Sequence, residues 1–217
     1  MDLTPIYISI KLGILTTIIL LIVSIPVSYY LAYSKWRIKL LFESILMLPI
    51  VLPPTVLGFY YLSFLGPNTA IGSFFEEYLG FSFAFSFEGI LFASIIYCLP
   101  FMITPITEGL RSIPKNLLYS AETMNKSNFN ILYKVMLPNI KRSILNGILI
   151  TFAHTLGEFG LILMIGGKMN ETRVASVEIY DQMNIMNFDV AGYYAIILLS
   201  ICFSLILLLN LTRKVNE

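Results

Sequence analysis

The sequence predicts an all-α membrane protein: five transmembrane helices in a single domain over residues 1–217. Three observations carry that prediction. Hydrophobic residues make up 57% of the chain and charged residues 12%, with a mean hydropathy of +0.81; a soluble domain needs about a quarter of its residues charged to cover its surface. Five runs reach the length of about 20 largely apolar residues that a bilayer-crossing helix requires. Lysine and arginine crowd into alternate connections between those runs. Helices are the form to expect, because any other backbone leaves N–H and C=O groups unsatisfied in lipid.

The first run, 12–34, is free of charge and contains Pro26. The residues before it, MDLTPIY, lack the basic start of a secretory signal, and the run is long for one, so this span is expected to be retained. The second run, 44–66, includes ILMLPIVLPPTVLGFYYL, with Pro49, Pro53 and Pro54. Proline removes a donor and clashes with the preceding turn, so this helix must kink or break. Pro53–Pro54 lies about ten residues in, roughly 15 Å from the cytosolic edge at the helical rise and near the midplane. Proline is well placed in the first turn of a new half-helix. A half-helix beginning near Thr55 aims its positive dipole end at the membrane centre. Broken helices at that depth are tolerated when buried in protein or lining a cavity. Pro53, Pro54 and Thr55 are therefore candidate pathway or gate residues; an ordinary packed kink is the alternative.

The third run, 89–107, contains Pro100 and Pro105 and is expected to bend near its cytosolic exit. The fourth, 143–167, loses its apolar character only at His154 and Glu158, and the fifth, 190–212, is charge-free. Orientation follows from the basic residues. Lys35, Arg37 and Lys39 follow the first span; Arg111, Lys115, Lys126, Lys134, Lys141 and Arg142 lie between the third and fourth; Arg213 and Lys214 close the chain. The other side has Lys11, Lys168 and Arg173 only. By the positive-inside rule the N-terminus is outside and the C-terminus cytoplasmic, in a multi-pass cell (inner) membrane protein. A net charge of +1 distributed this way gives no nucleic-acid surface.

On the outer side, residues 67–88 carry Phe74, Phe75, Tyr78, Phe81, Phe83, Phe85 and Phe87. They read as interfacial backbone in an aromatic belt, with a strand over FSFAFSF as the alternative. Residues 168–189, with Glu171, Glu178, Asp181 and Asp189, read as a solvated loop holding a short helix. Cys98 and Cys202 lie in apolar runs and read as small core residues rather than a disulfide or metal pair.

The cytosolic connection, 111–142, is the one long polar stretch. Ser112 is a candidate cap for a helix starting near Pro114, on which Leu117, Leu118, Ala121 and Met124 share one apolar face. Asn125-Lys126-Ser127 is a turn, with Asn125 at a left-handed position and Ser127 a cap for the next helix. There Phe129, Leu132, Tyr133 and Met136 again share a face, and Pro138 is expected to end it. Two helices this short are marginal alone, so an apolar face must dock on the bundle or on a partner.

This loop resembles the coupling loop of ABC importer permeases: Glu-Ala-Ala, three residues, Gly, nine residues, Ile-x-Leu-Pro. Anchored on Leu137–Pro138, the register places Asn125 at the Gly, Tyr119-Ser120-Ala121 at Glu-Ala-Ala and Val135 at the Ile. Ala121, Leu137 and Pro138 match; the Glu and the Gly do not. LPIVLPPTVLGFYYL, and TFAHTLGEFGLILMIGG followed by ETRVASVEIYDQM, resemble the molybdate permeases, with the likeness extending over roughly residues 8–210. The resemblance implies a type I ABC importer permease fold with cytosolic coupling helices. It also implies a homodimer with its pathway on the two-fold axis, a cytosolic ABC ATPase that drives it, and an extracytoplasmic oxyanion-binding protein. By it, Tyr119, Ser120, Ala121, Glu122, Asn125, Phe129, Tyr133, Leu137 and Pro138 couple to the ATPase. Tungstate and sulfate permeases share this plan, so the anion stays open among the three.

The chain's own chemistry is sparse. Gly166-Gly167-Lys168 is followed by Met169 and lacks the spacing of a phosphate-binding loop, so ATP drive needs a separate subunit and the chain itself is no enzyme. No cofactor is expected. His154 and Glu158 are four apart, on one face of a helix. A metal site there would lack a third ligand, since no other His exists; an intramembrane metalloenzyme is the remote alternative, and a channel a third. Glu158 is expected to be neutral or hydrogen-bonded inside the bundle. Like charge keeps it from gripping an oxyanion, for which Thr155 and the helix start near Thr55 are better suited; Gly157 completes the candidate gate.

Overall fold

The computed structural model describes residues 2–123 and 127–214, with the side chains of residues 122, 128, 209 and 211–214 outside that description. Twelve helices follow in order among those residues: α1 (Thr4–Tyr33), α2 (Lys39–Val51), α3 (Pro54–Leu65), α4 (Ala70–Leu79), α5 (Phe87–Arg111), α6 (Lys115–Thr123), α7 (Asn128–Ile131), α8 (Leu137–Asn139), α9 (Lys141–Gly157), α10 (Gly160–Gly166), α11 (Ala175–Asn184) and α12 (Phe188–Lys214). A five-residue π-helical turn, Leu132–Met136, joins α7 to α8.

Three helices are long and apolar enough to cross a membrane, α1, α5 and α12 up to Leu208; counting each bent pair, α2–α3 and α9–α10, as one span gives five. The core is α1, α5 and α9 packed together. Lipid supplies no hydrophobic drive between such helices, so small residues that let backbones approach are favoured at their contacts. Gly13, Thr16, Thr17, Ser24 and Ser28 of α1 are all buried, and the Ser28 hydroxyl donates to the Ile103 carbonyl at 3.1 Å. Where α5 meets α9, Gly109 lies against Ser143 and Ile140, and Gly147 against Met102. Pro100 and Pro105 leave α5 a single helix.

The Pro53–Pro54 break appears as a bend of 115° between α2 and α3. The pair nonetheless climbs the whole of α5. Glu43 pairs with Arg111, Met47 Sδ lies 3.9 Å from Thr104 Oγ1, Pro54 and Tyr97 share a cleft, and the Tyr61 hydroxyl donates to the Gly89 carbonyl at 3.0 Å. That ladder rises about 33 Å at the helical pitch, the thickness of a hydrocarbon core.

The fourth apolar run, expected as one continuous helix, is also broken. It bends by 60° between α9 and α10, with Glu158 in extended conformation (φ −67°, ψ 125°). No proline is involved. The Glu158 carboxylate accepts the Leu161 N–H at 3.2 Å, and its carbonyl accepts the Ser176 hydroxyl at 2.6 Å. A side chain serving the first turn of α10 competes with helix continuation, as polar caps do.

The connections at residues 67–88 and 168–189 fold inward. Residues 81–86 are irregular, with bends at 83–86 rather than a strand, and Phe83 buries its ring among Phe75, Phe81, Phe92 and Tyr61, with centroids 4.6–6.4 Å apart. Aromatic pairs at such spacings add to area burial, which draws this segment off the surface. Residues 168–189 hold the expected short helix, α11, and keep Glu171 and Asp189 exposed, but the segment also reaches into the bundle. The N–H of Ala175 donates to Ser9 Oγ at 2.8 Å inside the bundle. Buried Glu178 meets Arg173 Nε at 3.1 Å and the Gln182 amide at 2.8 Å. Further out, Lys168 donates to the Asp181 carboxylate, which holds its pKa above the ordinary value.

Candidate functional site

Two sites emerge, one at mid-bundle and one on the surface formed by residues 115–139. At mid-bundle both helix breaks meet. A cleft of about 300 Å³ is lined by Pro54, Tyr97, Ala153, His154, Gly157, Glu158, Phe159 and Gly160. Pro53 caps α3 with its carbonyl, which accepts the N–H groups of Val56 and Leu57; Pro54 fills the first helical position, where a missing N–H is harmless. Glu158 is 5% exposed, and the break moves it off the α9 helix that carries His154, so the two do not share a helical face. His154 instead lies against aromatic rings, stacked at 5.5 Å on Tyr97 and 3.9 Å from Phe101.

Sequence reasoning missed Tyr97 and Phe101. Their signal was weak, two aromatics four apart on one face of α5. Of the residues expected here, Pro54, Gly157 and Glu158 line the cleft, while Pro53 and Thr55 are exposed on its rim. Thr155 is not in the cleft. It is buried between α9 and α5, with its hydroxyl donating to Thr151 at 2.9 Å and 3.4 Å from Cys98 Sγ, so it offers no donor to the cleft. Among the described residues no group of three or more His, Cys, Asp or Glu is placed to hold a metal.

The second site is built from α6, α7 and the π-helical turn. The Ser112 hydroxyl does not cap α6: it donates back to Gly109 at 2.7 Å, and α6 starts instead from the Pro114 carbonyl. Ser127 does cap α7, accepting the Asn130 N–H at 3.4 Å. Asn125 and Met124 lie outside the described residues, as does the side chain of Glu122.

The expected grouping of Phe129, Leu132, Tyr133 and Met136 on one face does not hold. The π-helical turn shifts the register, so Ile131 and Met136 are buried while Phe129 and Tyr133 are 68% and 54% exposed, their rings 4.6 Å apart. Ala121 is also buried, Leu137 half-buried, and Tyr119, Ser120 and Pro138 exposed. Pro138 sits in the last helical turn, Leu137–Asn139, with the Asn139 amide donating to Val135 at 2.7 Å, and the path breaks at Ile140. The outcome is a small apolar and aromatic platform on a base anchored in the bundle.

Comparison with known proteins fits this arrangement. A family model described as binding-protein-dependent transport system inner membrane component matches residues 24–214. The molybdenum transport system permease protein ModB of Azotobacter vinelandii is 37% identical over 196 residues, 89% of this chain and 86% of that protein. The molybdate/tungstate transport system permease protein WtpB of Methanocaldococcus jannaschii is 28% identical, over 94% of this chain and 79% of that one. Among solved structures, a bacterial alginate ABC transporter in complex with its pentasaccharide-bound periplasmic protein superposes with a TM-score of 0.79 at 19% identity, covering 98% of this chain and 78% of that one. The inward-facing MetNI methionine ABC transporter gives 0.72 at 15% identity, covering 98% and 95%.

Proposed function

The chain belongs to the family of binding-protein-dependent transport system inner membrane components, and on that premise we propose that it is the permease subunit of an ATP-driven importer of molybdate. The observation that carries the mechanism is the meeting of two helix breaks in one cleft beside Tyr97. Irregular backbone at membrane depth is stable only in protein or along a water-filled path, and half-helices hinged there can rock between two arrangements. In this reading two copies form a homodimer and the chain crosses five times, with its N-terminus outside. The exposed rim at Val51, Pro53 and Thr55 faces the pathway on the two-fold axis. The start of α3 offers the Thr55 N–H, the one first-turn donor that the Pro53 carbonyl does not take, and a positive dipole end to a tetrahedral anion. Glu158 acts as a helix cap at the hinge and not as an anion ligand.

On the cytosolic side, Phe129, Tyr133, Tyr119 and Pro138 form the platform that a separate ATPase grips, and Glu122 and Asn125 complete it. An extracytoplasmic binding protein delivers the oxyanion to the outer face. Tungstate is the second reading, favoured by the name of the archaeal relative.

The anion bound to the binding protein that copurifies with the tagged permease tests the substrate. Molybdate supports the proposal and sulfate overturns that choice of anion. A stoichiometric metal with no ATPase partner points instead to the metalloenzyme. Reporters fused after Lys214 and inserted near Asn68 test the topology: the first is expected in the cytosol and the second outside.

A further inference from the structure

Where α1 turns into α2, a groove of about 610 Å³ opens between the two helices, lined by Val27, Tyr30, Trp36, Phe42 and Leu46 among others, without a charged residue. Its cytosolic end is closed by the connection 34–38, where the N–H groups of Lys39 and Leu40 donate to Trp36 and Arg37. In Lys35-Trp36-Arg37-Ile38-Lys39 cationic and apolar residues alternate. Trp36 and Ile38 line the groove, and Trp36 is 72% exposed. Lys35 and Arg37 are exposed, Lys39 is half-buried, and none of the three forms an ion pair with a described residue.

We propose that this groove is a binding site for one anionic phospholipid of the cytoplasmic leaflet, acyl chains along Val27 and Leu46, headgroup phosphate among Lys35, Arg37 and Lys39. Charge complementarity selects the occupant. An apolar groove accepts any acyl chain, but three cations in the same short connection as the lining residues Trp36 and Ile38 favour a headgroup with net negative charge, and cationic clusters beside a span draw anionic lipid. An indole at the boundary anchors that level. The inference rests on the cytoplasmic placement of residues 34–39 proposed above, which the reporter fusions test separately.

Trp36 is the single tryptophan of the chain, so its fluorescence reads this groove alone. The purified full chain is reconstituted into phosphatidylcholine vesicles carrying brominated phosphatidylglycerol or, at equal mole fraction, brominated phosphatidylcholine. The brominated anionic lipid is expected to associate at least about fivefold more strongly, the equivalent of one lysine or arginine contact at a membrane surface. That preference should fall to near unity in Lys35→Gln/Arg37→Gln/Lys39→Gln. Because that variant also weakens the topology signal, Val27→Trp/Trp36→Phe serves as a second, keeping every cation and reporting from within the groove; it should retain the preference. Equal quenching by both lipids in the wild type overturns the proposal. So does Trp36 shielded from both, which marks a second copy of the chain as the occupant.

Discussion

Replacing Glu158 probes the hinge most sharply. Its carboxylate accepts the Leu161 N–H at 3.2 Å, and Leu161 is fully buried. In Glu158→Leu that N–H has no partner and no water, a penalty of about 1–3 kcal/mol. Glu158→Gln keeps an sp² oxygen at the same reach. If the carboxyl is neutral the exchange is nearly free; if it is ionised, the bond drops from charge-assisted to neutral strength, a loss of about 1 kcal/mol. The Ser176 contact goes to the main-chain carbonyl and survives both changes. Thermal denaturation in detergent should therefore rank wild type and Gln close together and Leu well below. Reconstituted uptake should be near normal for Gln. Loss of transport in Glu158→Gln with assembly intact refutes the reasoning and makes Glu158 a working ionised group.

Three further outcomes are expected. Gly109→Ala should force α5 and α9 apart where the end of α5 meets the start of α9, since a Cβ there lies 2.6 Å from Ser143 Cβ; overpacking of that kind costs about 1–3 kcal/mol, read as a lowered denaturation midpoint. Glu43→Gln removes one of the two carboxylate partners of Arg111, the other being Glu108, at a half-exposed site, so the loss should stay below about 1 kcal/mol and shrink further in high salt. Asn125→Val should uncouple ATP hydrolysis from transport: the sequence reads Asn125 as a left-handed turn position, where a β-branched residue is strained by about 1–3 kcal/mol. Asn125→Gly should be silent; equal transport by the Val variant would show that this turn is not left-handed or that the loop does not dock.

The parts of the fold with a strong local signal were legible in the sequence. Five apolar runs gave α1, α5, α12 and the two bent pairs, and Pro53–Pro54 announced its break because proline acts on its own turn. The break at Glu158 was not legible in that way. It depends on a carboxylate returning to Leu161 and on Ser176, eighteen residues on, and only the glycines of Gly157-Glu158-Phe159-Gly160 hinted at it. The acidic segment 168–189 looked solvated because its partners are distant: Ser9 lies 166 positions from Ala175. A 3.6-residue period over the 111–142 connection puts Phe129, Tyr133 and Met136 on one face, and the π-helical turn at Leu132–Met136 breaks that period, leaving Phe129 and Tyr133 exposed and Met136 buried. Thr155 carries the neutral donor that suits an oxyanion, but it is buried between α9 and α5 and its hydroxyl is taken by Thr151, neither of which the local sequence reveals.

The central claim is ATP-driven import of molybdate through this chain. The direct test reconstitutes the chain with its ATPase and its binding protein in proteoliposomes and measures oxyanion uptake with and without ATP inside the ATPase compartment. The account predicts molybdate accumulation that requires both partners and ATP and is abolished by Asn125→Val. Uptake that proceeds without ATP, or a complex that accumulates sulfate while ignoring molybdate, would contradict it.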